Sequence, residues 1–242
     1  MPEEVALLRR DLRRAHTTSA GGRAYHTGTL YGRSVVLAFS GWGKVAAAST
    51  VTTLIERHGV RCVLFSGVAG AASLALRIGD VVIGRAFVQH DLDARPLFQR
   101  FEVPLLGMTR FPATPGLRRQ LLTAASTFVS RDLAADVGAK ILRVFAISAP
   151  RVVSGLIASG DQFVGSRRRL AQIRAALPGL QCVEMEGAAV AQVCRGYGVP
   201  LGIVRVISDL ADHRAGIDFS RFIAAVASHY SRGMIRRLFR AL

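Results

Sequence analysis

Three groups of side chains have the types and spacing for acid–base chemistry. Ser208-Asp209 closes the apolar run Leu201 to Ile207, which is interrupted only by Arg205; Glu184-Met185-Glu186 closes a shorter run that begins at Cys182. A carboxylate at the end of an apolar strand loses on the order of several kcal/mol of hydration unless it is bonded. Such groups therefore mark either a site or a strong local contact. Glu184 and Glu186 fall on one side of an extended strand, with Met185 on the other. The same pair also reads as an acidic helix start, because a helical pattern begins at Gly187. Asp209 alone reads equally as a helix cap. Arg205, four residues earlier in the same strand, calls for an acidic partner. His90-Asp91 and Asp93 have the types of metal ligands, but as a metal pair they lack a third convincing ligand, so no metal site is expected.

These residues need elements to hold them. Val35 to Phe39 reads as a strand ending in Ser40-Gly41-Trp42-Gly43-Lys44, followed by a helix from Val45 to Glu56. Cys62 to Phe65 reads as a strand closed by the small-residue turn Ser66-Gly67-Val68-Ala69-Gly70. Further strands are expected at Asp80 to Val88, Val152 to Ala158, Cys182 to Met185 and Leu201 to Ile207. Helices are expected at Gly116 to Val129, Ser166 to Ala176, Gly187 to Tyr197 and Phe219 to Phe239. Gln89 to Thr114 reads as one long loop, of the kind that covers or shapes a site. This alternation implies an α/β fold: one domain over residues 1–242, with a mixed, mostly parallel central sheet flanked by helices on both faces. Ligands of such sheets bind beyond the carboxyl ends of the strands, where Ser40 to Gly43, Ser66 to Gly70, Ser159-Gly160-Asp161, Glu184 to Glu186 and Ser208-Asp209 all fall. The turn Ser40 to Lys44 matches neither a dinucleotide nor a Walker pattern.

Composition narrows the class. The chain has 242 residues, half of them apolar, and a net charge of +16. Arginine supplies nearly all the positive charge, since Lys44 and Lys140 are the only lysines. Aromatics do not interleave with the arginines, so an arginine-rich solvated surface is expected rather than a nucleic-acid site. The three cysteines, Cys62, Cys182 and Cys194, give neither a disulfide framework nor a zinc pattern. No apolar run reaches the roughly 18 residues that span a bilayer, and the acidic start is unlike a signal peptide. A cytoplasmic protein that does not bind membranes is expected.

Taken in order, Ser40 to Ala48, Gly67 to Gly70, Gly79-Asp80-Val81-Val82, His90-Asp91, Ser159 to Phe163, Val183 to Glu186 and Val204 to Asp209 resemble the 5′-methylthioadenosine/S-adenosylhomocysteine nucleosidases of the purine and uridine phosphorylase superfamily. The resemblance covers nearly the whole chain and implies a nucleoside phosphorylase-like fold, hydrolysis of an adenine nucleoside, no metal or cofactor, and a homodimer. Residue by residue, it implies that Asp209 protonates adenine at N7, that Ser208 orients Asp209, and that Glu4 activates water. Glu186 would accept hydrogen bonds from the ribose hydroxyls, with Met185 under the sugar. Phe163 and Val164 would read the adenine edge through their backbone, with the Phe163 ring stacked on the base. Arg205 and Glu184 would hold the site, Phe219 would approach from the last helix, and Trp42, Val68, Ala69 and Gly70 would complete the pocket wall. Loss of a base from ribose builds oxocarbenium character, which is served by an acid at the leaving group and a carboxylate holding water. Asp209 must then keep its proton near neutral pH, which burial favours and which Arg205 opposes unless Arg205 faces another carboxylate such as Glu184.

The chain departs from the family pattern at several places. Relatives carry a short apolar strand just ahead of the glutamates that match Glu3-Glu4, and this first strand is missing from the sequence. Trp42 replaces a smaller aliphatic residue, Val68 replaces a serine, and the Arg95 to Pro112 loop is divergent. A phosphorylase, or a non-catalytic nucleoside- or nucleic-acid-binding relative, is the alternative reading.

Overall fold

The computed structural model describes residues 2–213 and 215–241, so Met1, Arg214 and Leu242, which the bounds 1–242 include, lie outside the described residues. The chain opens with helix α1 (Pro2–Asp11). Glu3 and Glu4 in the first turn and Arg9 and Arg10 in the last suit the helix dipole. An antiparallel meander follows: β1 (Arg13–Ala20), β2 (Arg23–Leu30) and β3 (Arg33–Ala38). Its two-residue turns, Gly21-Gly22 and Tyr31-Gly32, have positive φ at both positions (54° and 74°, 48° and 86°), the backbone form that matches strand twist in tight hairpins.

Helix α2 (Lys44–His58) leads to the second sheet, made of β4 (Val63–Ala71), β5 (Val81–Gln89), β6 (Phe111–Pro112), β7 (Val152–Ser159), β8 (Leu180–Glu184) and β9 (Leu201–Asp209). The strand order is β6-β5-β7-β8-β4-β9, and β5 also pairs with β9 through Val81–Ile83, which closes the longer strands into a ring. The β4–β9, β5–β7 and β7–β8 pairs are parallel, while the β4–β8 contact at Gly70 and Ala71 is antiparallel. The expected mixed sheet is thus present, divided into a three-stranded and a six-stranded part.

Between the strands lie α3 (Pro115–Arg131), α4 (Leu133–Val137), α5 (Ala139–Val144), α6 (Arg167–Ala176) and α7 (Gly187–Gly196). The expected C-terminal helix is α8 (Ala215–Phe222), a π-helical stretch (Ile223–Ala227) and α9 (Ser228–Ala241) in direct succession. Its arginines are partly spent on the fold: Arg232 on Asp11, Arg236 on Asp136 and Arg237 on Asp132. Apolar cores lie on two sides of the ring. One joins Val51, Val190 and Cys194 to Ile203 and Ile207; the other joins Phe128, Val226 and Tyr230 to Ile83 and Val206.

Two expectations need correction. Ser66 to Gly70 is not a turn, because β4 runs straight through it to Ala71. The strand expected at Cys182 to Met185 stops at Glu184, so strand alternation does not place Met185 and Glu186. The long loop does lie between β5 and α3, broken only by β6 and by an isolated bridge from Val103 to Met108.

Candidate active site

Asp209 is placed by an irregularity in β9. The register with β4 steps from Ala69 opposite Ile207 to Gly70 opposite Asp209, so Ser208 is an extra residue that re-aims the chain. Asp209 is buried. Its Oδ2 accepts from Ser208 Oγ (2.8 Å) and its Oδ1 from the Ala211 N–H (2.9 Å). Burial pushes its carboxyl above the ordinary carboxylate value, and these two hydrogen bonds only partly offset that. Gly70 is required here, since a Cβ on it would stand 2.8 Å from Asp209 Oδ1 and 3.0 Å from Ala211 Cβ.

Glu184, at the end of β8, is tied on all sides. It accepts from Ser159 Oγ, from the N–H groups of Glu186 (3.1 Å) and Gly187 (2.8 Å), and from Arg205 Nη2 (2.6 Å) and Nε (3.2 Å). Arg205 is 1% exposed and lies over the Phe65 ring at 4.3 Å. Burial alone would lower the pKa of the guanidinium, but the carboxylates of Glu184, Glu186 and Glu4 outweigh it and raise it. Arg205 therefore faces Glu184, and the conflict with a protonated Asp209 does not arise. Both readings of the acidic pair hold in part: Glu184 takes up the first donor of α7, while Glu186 stands at its N-cap position with no side-chain cap bond.

Glu186 accepts from the Gly43 N–H (2.9 Å), which links the β3–α2 turn to the α7 start. Burial, and then the charge of Glu184, push its carboxyl up to about 7. A carboxyl raised in this way destabilises the fold only where it is ionised: the penalty is absent below its ordinary 4.5 and complete above about 7. That interval corresponds to about 3 kcal/mol. Glu186→Gln is therefore expected to raise Tm at pH 8 and to leave it nearly unchanged at pH 4.5. Denaturation at the two pH values checks this, and an equal effect at both would refute it.

Glu4, from the first turn of α1, accepts from the Val68 N–H (3.2 Å) on β4. A Cβ on Gly67 would lie 3.2 Å from Glu4 Oε1 and 3.0 Å from Arg205 Nη1. The glycines of β4 thus mark where side chains of α1 and β9 cross it. At the mouth, Trp42 and Phe163 each meet Phe219 edge-on, with centroids 6.0 and 5.7 Å apart.

One cavity of about 790 Å³ is lined by every residue that the sequence assigned to the site: Glu4, Trp42, Val68, Ala69, Gly70, Phe163, Val164, Glu184, Met185, Glu186, Arg205, Ser208, Asp209 and Phe219. Asp91 serves the fold instead. Asp91 pairs with Lys44 (2.7 Å) and accepts from the Asp161 N–H (2.8 Å), while Asp161 accepts from the Lys44 N–H, pinning the start of the long loop to α2. Sequence reasoning gave no role to Ser159, whose hydroxyl joins Glu184 to the Ala188 N–H, or to Phe65, and placed Gly43 in a strand-end turn without its bond to Glu186. Only the position of Ser159 at a strand end hinted at its role.

A ring of strands with a carboxylate-lined cavity at their carboxyl ends defines a class, and the model of the phosphorylase superfamily matches residues 1–240. The chain is 36% identical over 234 residues to the 5′-methylthioadenosine/S-adenosylhomocysteine nucleosidase of Anoxybacillus flavithermus, covering 96% of this chain and 91% of that one. The solved structure of the nucleosidase of that name from Neisseria meningitidis, in complex with methylthio-immucillin-A, superposes with a TM-score of 0.87 at 34% identity, covering 100% of this chain and 96% of the other. Futalosine hydrolase of Helicobacter pylori is also similar, with a TM-score of 0.84 at 30% identity and 100% and 96% coverage. The chain belongs to the 5′-methylthioadenosine/S-adenosylhomocysteine nucleosidase family of the phosphorylase superfamily.

Proposed function

We propose that this protein hydrolyses the N-glycosidic bond of adenine nucleosides with a 5′-thio substituent, releasing adenine and a thioribose. The observation that carries this reading is Asp209, a buried carboxyl kept above the ordinary carboxylate value at one end of a cavity that has Glu4 and Glu186 on its wall. In this reading Asp209 gives its proton to adenine N7, Ser208 orients it, and the base leaves neutral. Glu186, whose carboxyl burial and the charge of Glu184 push up, accepts from the ribose hydroxyls, and Met185 packs against the sugar. Glu4 orients the attacking water. Glu4 and Asp209 both line the same cavity, and direct attack by water needs room for the sugar and a water between two such carboxyl groups. Phe163 and Val164 contact the base, while Trp42 and Phe219 bound the 5′ side; Arg205 and Glu184 hold the wall.

The acidic lining favours water over phosphate as the nucleophile, because a phosphate dianion would enter beside Glu4 and Glu186, with Arg205 already engaged by Glu184. Adenine release from methylthioadenosine is expected to proceed at full rate in phosphate-free buffer. Strict dependence on phosphate, with a ribose 1-phosphate product, would show a phosphorylase instead.

The loop between β5 and α3 exposes Leu97, Leu105 and Leu106, which supports a homodimer in which a neighbour's loop closes each pocket; sedimentation at a monomer's mass would overturn it. Among the described residues no helix is long and apolar enough to cross a membrane, and the three cysteines are free. Both facts support a cytoplasmic location.

A further inference from the structure

One buried titratable group has no task in the cavity wall. His90, the residue after β5, is 3% exposed, and neither of its ring nitrogens has a hydrogen-bond partner among the described residues. A neutral imidazole always carries one N–H, so an unpartnered ring at this depth is a standing cost that needs a reason.

The ring lies against the turn that leads to Phe163 and Val164. The backbone N–H of His90 donates to Ser159 O (2.9 Å), and a Cβ on Gly160 would overlap the Nε2–Cε1 edge of the ring. Only glycine leaves room for the ring at that position. The turn is bonded on either side of this contact, since the Gly160 N–H donates to Glu184 O (3.1 Å) and the Asp161 N–H to Asp91 Oδ2 (2.8 Å). His90 is thus a wedge behind Gly160.

A charged ring has no place there. Imidazolium carries two N–H donors, and the carboxylates that face it are already engaged. Asp91, next along the chain, takes Lys44 Nζ and the Asp161 N–H, while Glu184, from β8, takes Arg205, Ser159 Oγ and the N–H groups of Glu186 and Gly187. Burial is the main reason that the ring titrates below the ordinary 6.5; Asp91 opposes this, Arg169 from α6 and Lys44 from α2 add to it, and Glu184 opposes it last.

We propose that His90 is a positioning residue for the base: neutral, it seats the Gly160 turn and with it Phe163 and Val164; protonated, it leaves its seat and releases them. Base binding then weakens in acid, a limb opposite in sign to that of Asp209. The inference rests on the reading that Phe163 and Val164 hold adenine, so release of the turn is measured without ligand and the two can fail separately.

The Cε1 carbon resonance of His90 follows its titration, and amide exchange of Gly160 and Asp161, referred to the intrinsic rate at each pH, follows the turn. As the ring protonates, both amides are expected to exchange at least ~10-fold faster, and Kd for adenine to rise at least ~5-fold. Adenine gains a proton of its own in acid, so the comparison is with His90→Gln and His90→Phe, which cannot titrate and in which both acid effects are absent. Gly160→Ala, which pushes the ring aside, is expected to weaken adenine binding at neutral pH and to bring the His90 titration closer to 6.5. Protonation of His90 with both amides unchanged overturns the proposal. So does an acid effect on the amides and on adenine that persists in both His90 variants. Amide release that depends on His90, with no adenine bound at any pH, upholds the wedge and sinks the adenine reading.

Discussion

Replacing Asp209 by asparagine is expected to lower kcat/KM for methylthioadenosine about a thousandfold, within the roughly 10²- to 10⁴-fold range of a positioned acid, while the protein stays folded. The geometry separates these two effects. An Asn carbonyl still accepts from the Ala211 N–H, and its NH₂ donates to Ser208 Oγ, whose own proton turns to Ala69 O, now at 3.4 Å. The substitution also removes a buried carboxyl whose ionised form burial disfavours, so Tm above neutral pH is unchanged or higher. A nucleoside whose leaving group needs no proton loses less than methylthioadenosine does. In the unsubstituted protein, kcat/KM falls as pH rises through the elevated pKa of Asp209, and this limb disappears in Asp209→Asn. Activity within tenfold of the original, or loss of fold along with activity, would remove Asp209 from the proposed role.

The site was more legible in the sequence than the scaffold around it. Asp209, Glu184 and Glu186 announce themselves because charge at the end of an apolar strand has few explanations, and Arg205 inside such a strand calls for the acid it meets. The Glu184–Arg205 pair itself joins residues 21 positions apart on different strands, so only the need for a partner, and not its identity, can be read locally. Ser66 to Gly70 misleads for a physical reason. Small residues usually signal a turn, but in β4 they are small because Glu4, Arg205 and Asp209 occupy the space a Cβ would take at Gly67 and Gly70. The first two strands of the meander were unread although Gly21-Gly22 is a strong hairpin signal, because β1 is exposed nearly throughout and shows no inside–outside alternation. The π-helical stretch in the last helix leaves the apolar pattern nearly unchanged and has no local signature.

Arg205→Met is expected to destabilise the protein by about 3 kcal/mol, the lower end of the range for breaking a buried ion pair. The lower end applies because Glu184 keeps hydrogen bonds from Ser159 and from the Glu186 and Gly187 N–H groups when the guanidinium is gone. What it loses is the countercharge, in a place where both partners are nearly inaccessible to water. Methionine retains contact with the Phe65 ring, so the loss reports charge rather than packing. For a chain of this size, about 3 kcal/mol lowers Tm by roughly 6–12 °C. Arg205→Lys rescues little, since an ammonium cannot donate from two positions in the plane of the carboxylate. The decisive form is the cycle with Glu184→Gln. A glutamine still accepts from Gly187 and carries no charge, so the double variant is expected to be at least ~1 kcal/mol more stable than the sum of the single losses predicts. Additive losses would mean that Arg205 acts by filling space, and that the charge balance of the cavity wall rests on other groups.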